Sequence, residues 1–255
     1  MAGPQSSDKS IDRVLVAAGL CSRTQARAAV AAGRVEVNGA IVREPDTWID
    51  VGCAVVRVDG ELLRSRPRAV WMLHKPTGVV TARVDHRARP TVCDLLPPDL
   101  DWLAPIGRLD LETTGLLLFT NDGELARGIL APASKLPKTY EVRCSGQLQD
   151  EQLERMRLGL DIGDGAGPTL PAQVELVERG AYECSIRIAI HEGRNRQVRK
   201  MVRAIGSGVL ALHRSFVGPL GLGDLAVGAA RALTAVEEPL LRAAVAGAMA
   251  RAAGP

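Results

Sequence analysis

The chain has 255 residues, 46% of them hydrophobic and 24% charged, which fits a folded globular protein and excludes a polybasic tail protein. Its formal net charge is only +3, so nucleic-acid binding would have to come from clustered charge rather than total charge. Aromatic residues make up just 3%, which disfavours a surface built mainly on base stacking.

No apolar run reaches spanning length, and the start from Met1 to Lys9 is too polar for a signal peptide. The five cysteines, Cys21, Cys53, Cys93, Cys144 and Cys184, are scattered, with no CxxC pair and no histidine at metal-ligand spacing. Buried reduced thiols in a cytoplasmic protein are the expectation.

In chain order, residues 1–9 read as a disordered leader and 10–60 as a small module. A helix pattern from Ile11 to Ala18 stops at Gly19. Ser22-Arg23-Thr24-Gln25 is a capping-box sequence for a second helix reaching about Ala32. Val35-Glu36-Val37 and Ala40-Ile41-Val42 flank Asn38-Gly39, the preferred two-residue hairpin turn. Residues 1–60 carry seven Lys/Arg and seven Asp/Glu, yet between Ile11 and Val35 only Asp12 offsets Arg13, Arg23, Arg27 and Arg34. Arg23, Arg27 and Arg34 should therefore make a local basic face.

Residues 61–69, with Arg64-Ser65-Arg66-Pro67-Arg68, read as a basic linker. Residues 70–238 form a larger domain in which strand and helix signals alternate. Val70–His74 is strand-like and Val79-Val80-Thr81 continues it after the Lys75-Pro76-Thr77-Gly78 turn. Gly115–Thr120 is a continuous apolar strand ending in the Asn121-Asp122-Gly123 turn, with a short helix after it. Thr139–Cys144, Gln173–Val177 and Tyr182–Ile190 read as strands, with Tyr182, Cys184, Ile186, Ile188 and Ile190 pointing one way. Leu148–Leu160 and Asn195–Ile205 have helical period. Residues 239–255 are an alanine-rich tail or terminal helix. The fold class is α+β, with a mixed, mainly antiparallel sheet and flanking helices; frequent hairpins exclude a doubly wound parallel sheet.

Taken alone, Asp110 in Gly107-Arg108-Leu109-Asp110 is a turn or capping residue, and Glu112 at i+2 makes no acid/base dyad. Tyr140 alone is a core aromatic, and Lys138 either solvated or a phosphate contact. Arg194, Arg196, Arg199, Lys200 and Arg203 are five basic residues within ten positions. On a helix, Arg196, Arg199, Lys200 and Arg203 share a face on which four cations repel, so a polyanion or a buried carboxylate such as Asp110 is expected opposite. His74, His86, His191 and His213 show no metal or triad spacing.

Together these segments resemble a known family. Leu73–Gly78, Arg89-Pro90-Thr91-Val92-Cys93-Asp94-Leu95-Leu96-Pro97, Gly107–Gly123, Lys138-Thr139-Tyr140, Glu192–Met201, Leu212-His213-Arg214 and Gly218-Pro219-Leu220 follow the order of the RsuA/RluB-type bacterial ribosomal-RNA pseudouridine synthases. The small module is similar to the S-four-like RNA-binding domain through Ala18–Arg23, Gly33–Gly39 and Val58-Asp59-Gly60. The resemblance covers roughly residues 10–238. Thr24 stands where the small domain commonly has a second basic residue, and His74 where the family usually has Asn.

The resemblance implies isomerisation of a uridine to pseudouridine in ribosomal RNA, the glycosidic bond broken at N1 and remade at C5, without cofactor or metal. Asp110 would be the essential carboxylate, Arg199 its ion partner, and Tyr140 the residue packed on a flipped-out uracil. Whether Asp110 attacks the sugar or base, or deprotonates the ribose, stays open at this level. Arg23, Arg27, Arg34, Lys75, Arg108, Lys138, Arg194, Arg196 and Arg214 would contact RNA. The form Arg194-Asn195-Arg196-Gln197-Val198-Arg199 leans towards the large-subunit, 23S-type branch. The expected partner is ribosomal RNA or a pre-ribosomal particle, the protein a monomer that needs no membrane. The alternative is a non-catalytic RNA-binding or ribosome-assembly factor on the same fold. An Asp-dependent hydrolase would lack its second carboxylate or metal.

Overall fold

A computed structural model describes residues 8–98, 100 and 102–253. They fall into two units: one runs to Ala69 and takes in short segments ending at Ala104 and Gly123, and the other holds the rest.

In the first unit, strand β1 (Asp8–Ser10) leads into helices α1 (Ile11–Ala17) and α2 (Arg23–Ala31). Strands β2 (Val35–Val37), β3 (Ala40–Val42), β4 (Trp48–Asp50), β5 (Val56–Val58) and β6 (Glu61–Leu62) follow. The start of α2 is fixed as the sequence predicts: the Gln25 amide donates to Ser22 Oγ at 3.2 Å, and the Ser22 amide donates to Gln25 Oε1 at 3.0 Å. Asn38 and Gly39 take φ of 51° and 82°, the left-handed pair that a tight hairpin between β2 and β3 requires. The antiparallel order β3-β2-β5-β6 buries one face against the helices through Ile11, Leu15, Ala26, Val30 and Val35.

Two sequence-derived boundaries change. Residues 1–7 of the expected leader lie outside the described residues, while Asp8 and Lys9 are strand and pair with Asp50 and Ile49. The expected linker is held as well. Glu61 pairs with Val58, and Asn121 accepts from the Ala69 amide and donates to the Pro67 carbonyl, each at 2.9 Å. The sequence signals of a linker, proline and like charge, say nothing of partners supplied fifty residues later.

The second unit is built on β7 (Val70–Lys75), β8 (Ala104–Ile106), β9 (Thr114–Thr120), β10 (Lys138–Ser145), β11 (Gln173–Arg179), β12 (Glu183–Ile190), β13 (Val209–Val217), β14 (Leu220–Gly221) and β15 (Ala230–Ala232). These form one sheet in the order β11-β12-β10-β13-β9-β7-β15, with β14 on β13 and β8 on β9. The β13–β9 pair is parallel and the others with a resolved register are antiparallel. Helices α3 (Gly123–Leu130), α4 (Asp150–Leu158), α5 (Gln197–Ala204) and α6 (Glu237–Ala253) flank it. The mixed sheet and α+β class agree with the sequence expectation.

The apolar run Leu116-Leu117-Leu118-Phe119 does not alternate because β9 is central and covered on both faces, each residue at most 1% exposed. Burying such side chains stabilises by roughly 1.5–3 kcal/mol apiece. One core gathers β10, β11, β12 and β13 with α4 and α5, and a second gathers β7 and β9 with α3 and α6. The alanine-rich tail is thus a packed helix whose Leu241 and Val245 are core residues.

Other expectations need correction. Val79–Thr81 is no strand; Val80 makes only an isolated bridge to Thr91. Tyr182 is 90% exposed, outside the inward set of β12, because it sits ahead of the strand in the turn. Of the five cysteines all are free, but only Cys144 and Cys184 are buried and Cys53 is exposed. Burial pushes the Cys144 thiol up to about 12, with Cys184 beside it adding to the shift, so Cys144 is inert as a nucleophile.

Candidate active site

Asp110 lies in the loop that runs into β9, and that loop is fastened from both sides. Thr81 Oγ1 donates to the Leu109 carbonyl at 2.8 Å and accepts from the Leu109 amide at 3.2 Å. The Gly78 amide donates to the Leu111 carbonyl at 2.9 Å, and the Thr113 amide closes a turn on the Asp110 carbonyl at 3.0 Å. Leu109 itself is buried. The backbone on either side of Asp110 is therefore fixed, while its carboxylate is left about a quarter exposed.

Lys75 completes this frame. It is fully buried, and its ammonium donates to the carbonyls of Pro76 at 2.9 Å, Leu111 at 3.3 Å and Thr113 at 2.9 Å. A buried charge costs several kcal/mol unless its donors are satisfied, and here three carbonyls take them. Burial pushes the Lys75 ammonium down to about 8, opposed by the carboxylate of Asp110. The expectation that Lys75 contacts RNA is corrected: no part of it reaches solvent, and it serves as the peg of the Asp110 loop.

Arg199 reaches the same loop from α5. Its Nε stands 3.6 Å from Asp110 Oδ2 and its Nη1 3.7 Å from Glu112 Oε2, and Nη2 donates to Thr113 Oγ1 at 3.3 Å. Arg199 Nε is buried and makes no hydrogen bond. The pair with Asp110 is thus an ion pair at a distance longer than a hydrogen bond, with room to tighten. It also answers the self-repulsion expected of the basic helix: the cation nearest the core faces two carboxylates.

The start of α5 is set by its own network. Arg196 takes φ of 53° as the residue before the helix. Gln197 is buried, accepting from the Arg194 amide at 3.0 Å and donating to Glu192 Oε1 at 2.8 Å. Every nitrogen of Arg194 is engaged within the chain: Nε binds Glu192 at 3.0 Å, and its other nitrogens reach Asp164, the Gly167 carbonyl and the Pro168 carbonyl. Arg194 therefore braces the loop before β11, a correction to its expected role as an RNA contact.

A cleft of about 380 Å³ joins these parts, lined by Asp110, Thr113, Lys138, Tyr140, Arg196 and Arg214 among others. Three of the expected participants, Asp110, Tyr140 and Arg199, meet here: two line the cleft and the third pairs with the carboxylate. Arg108 and Arg196 are exposed at it, and Lys138 is partly buried. Arg214 is 5% exposed, with Nε donating to the Leu116 carbonyl at 2.8 Å. His74 and His213 pack edge to face at 5.3 Å, each with Nδ1 engaged, on Leu225 O and Thr114 Oγ1. Among the described residues no group of acids, cysteines and histidines could hold a metal, and no helix is long and apolar enough to cross a membrane.

In the first unit the expected basic face is largely paired. Asp12, fully buried, takes Arg23 at 2.9 Å and Arg27 at 3.3 Å, while Asp46 takes Arg27 and Asp59 takes Arg34. The side chains of Arg23, Arg27 and Arg34 stay roughly half exposed. Sequence reasoning missed Asp46 and Asp59 because they arrive from later loops. It also missed Thr113, Glu192 and Gln197 as the frame of the ion pair; the only local hint is Glu192 two residues ahead of Arg194.

The family described as RNA pseudouridylate synthase matches residues 69–204, and the S4 domain matches residues 10–52. The chain is 37% identical over 235 residues to ribosomal large subunit pseudouridine synthase B of Bacillus subtilis, covering 91% of this chain and 95% of that protein. It is 38% identical over 230 residues to ribosomal small subunit pseudouridine synthase A of Pseudomonas aeruginosa, covering 89% and 97%. A crystal structure of a pseudouridylate synthase superposes with a TM-score of 0.68 at 30% identity, covering 91% of this chain and 99% of that one.

Proposed function

The chain belongs to the RNA pseudouridylate synthase family, an isomerase family, and we propose that it converts one uridine of large-subunit ribosomal RNA to pseudouridine with Asp110 as the essential carboxylate. The single observation that carries the site assignment is the convergence on one cleft: Asp110 on a pinned loop, Arg199 3.6 Å from it, and Tyr140 in the lining of the same cleft. Isomerisation at N1 and C5 needs a reactive carboxylate against a base held out of its stack. The cleft supports that: Tyr140 offers the uracil ring an apolar surface, and the Arg199 ion pair orients the Asp110 carboxylate.

RNA as substrate is supported by the charge left over in the cleft. Asp110 is matched by Arg199 and Glu192 by Arg194, whereas Arg108, Lys138, Arg196 and Arg214 have no carboxylate partner among the described residues. A polyanion supplies the missing charge. Ribosomal RNA is proposed because relatives of this length are ribosomal large and small subunit pseudouridine synthases, and the large subunit from the sequence Arg194–Arg199. Pseudouridine maps of ribosomal RNA from cells with the gene intact, deleted and replaced by Asp110→Asn test this. One large-subunit position should lose its pseudouridine in both altered strains. A map unchanged by deletion would contradict the assignment, and a lost small-subunit position would move the target to the other subunit.

A further inference from the structure

Glu112 has no part in the reaction as described, yet it is fixed beside it. Lys75 donates to the carbonyls of Leu111 and Thr113, one on each side of Glu112. The backbone at Glu112 is therefore held, although its side chain is 68% exposed. That side chain makes one ion pair among the described residues, with Arg199 Nη1 at 3.7 Å. Three residues of one loop thus meet three different nitrogens of a single guanidinium: Asp110 at Nε, Glu112 at Nη1 and Thr113 at Nη2.

The guanidinium stands between these partners rather than on one of them. Nε is 3.6 Å from Asp110 Oδ2 and makes no hydrogen bond, although it is buried. A buried donor left unpaired is unfavourable, and here a carboxylate stands a short step away. Closing that step would give Arg199 a charge-assisted hydrogen bond, the stronger kind. Two contacts on the far nitrogens oppose it: the buried Thr113 hydroxyl at 3.3 Å from Nη2, and the Glu112 carboxylate near Nη1. Of these only Glu112 is charged, so its attraction competes directly with that of Asp110.

We propose that Glu112 is a positioning residue: it shares Arg199 with Asp110 and so keeps the guanidinium from closing onto the carboxylate that must react. The proposal rests on the uridine-isomerising role of Asp110 given above and deepens it by naming what sets the reactivity of that carboxylate. Attack and proton abstraction alike use a lone pair of Asp110, and a guanidinium hydrogen-bonded to that oxygen occupies it. With Glu112 charged, Arg199 orients Asp110 across a loose ion pair and leaves its oxygens to the nucleotide. With Glu112 neutral, Nε settles on Asp110. Water and salt screen an exposed carboxylate, so the device tunes turnover and does not switch it on and off.

Two readouts on the full-length protein test this, one without RNA. In nitrogen–proton NMR spectra, with Arg199→Lys for assignment, the Arg199 Nε–H signal should move downfield in Glu112→Gln as the hydrogen bond to Asp110 forms. In turnover, Glu112→Gln should lower kcat roughly three-fold, the scale of an exposed ion pair, with KM for RNA no higher. Glu112→Asp, which keeps the charge, should recover most of the rate. An Nε–H signal that Glu112→Gln leaves in place would overturn the proposal. So would an unchanged kcat with a lower KM, which would mean that Glu112 only repels RNA, or equal kcat losses in Glu112→Gln and Glu112→Asp. The two readings fail separately. If uridine is isomerised while the Nε–H signal stays put, the positioning role falls and the reaction stands. If the signal moves but the wild-type protein isomerises no uridine, the hold on Arg199 stands and the proposed reaction falls.

Discussion

Lys75 shows how far a residue's role can depart from its type. A lysine ahead of a proline-glycine turn looks like a surface cation, yet its ammonium is buried on three carbonyls, two of them flanking Glu112 in the Asp110 loop. Lys75→Met keeps the length and apolar stem but leaves those carbonyls without donors. Turnover should fall roughly a hundred-fold through a shift of the loop, while RNA affinity and its salt dependence stay as they were. A loss of affinity with a flatter salt slope would mean instead that Lys75 touches phosphate. Asp12 makes a second case. Burial alone would raise its pKa, but the Ser10 hydroxyl and the Arg23 and Arg27 guanidinium groups outweigh burial and hold it at about 2. Its folded value lies below its unfolded value, so the stabilisation is present above the ordinary carboxylate range and is lost as pH falls towards 2. Urea unfolding should show about 2 kcal/mol of this acid-labile stability, missing in Asp12→Asn. Equal acid sensitivity in that variant would contradict the pairing.

Elements were legible where local chemistry decides them. The Ser22–Gln25 capping box, the Asn38-Gly39 hairpin and the apolar run of β9 each carry their signal within a few residues, and the structure has all three. What the sequence hid depends on partners far along the chain: Asp46 and Asp59 against the arginines, Asn121 against the linker, Gln197 and Glu192 behind the ion pair. Gly115 belongs to the same class. It has φ of +108° where β9 runs parallel to β13, and a Cβ there would collide with the Arg214 backbone. Only glycine allows the close approach that aligns the Asp110 loop with Arg214. Gly115→Ala should therefore cost more than about 2 kcal/mol in denaturant unfolding. A variant of wild-type stability would show that the strands can part without loss.

At the scale of the whole molecule, a net charge of +3 says little, because the distribution carries the meaning. Many cations are paired with carboxylates of the chain itself, and four that are not, Arg108, Lys138, Arg196 and Arg214, line one cleft with Asp110. The family membership and the α+β fold were readable from the motifs and the order of elements, and the candidate Asp110–Arg199 pair from two separate motifs taken together. Which cations bind RNA was not, because pairing is decided by tertiary contacts; Lys75 and Arg194 turn out to be internal braces. The central claim is that the Asp110 carboxylate drives uridine isomerisation in this cleft. The most direct measurement is tritium release from ribosomal RNA labelled at uridine C5, with purified wild-type protein and Asp110→Asn side by side. Wild type should release tritium in step with pseudouridine formed, and Asp110→Asn should bind the RNA with similar affinity and release none. Equal release by both proteins would contradict the account.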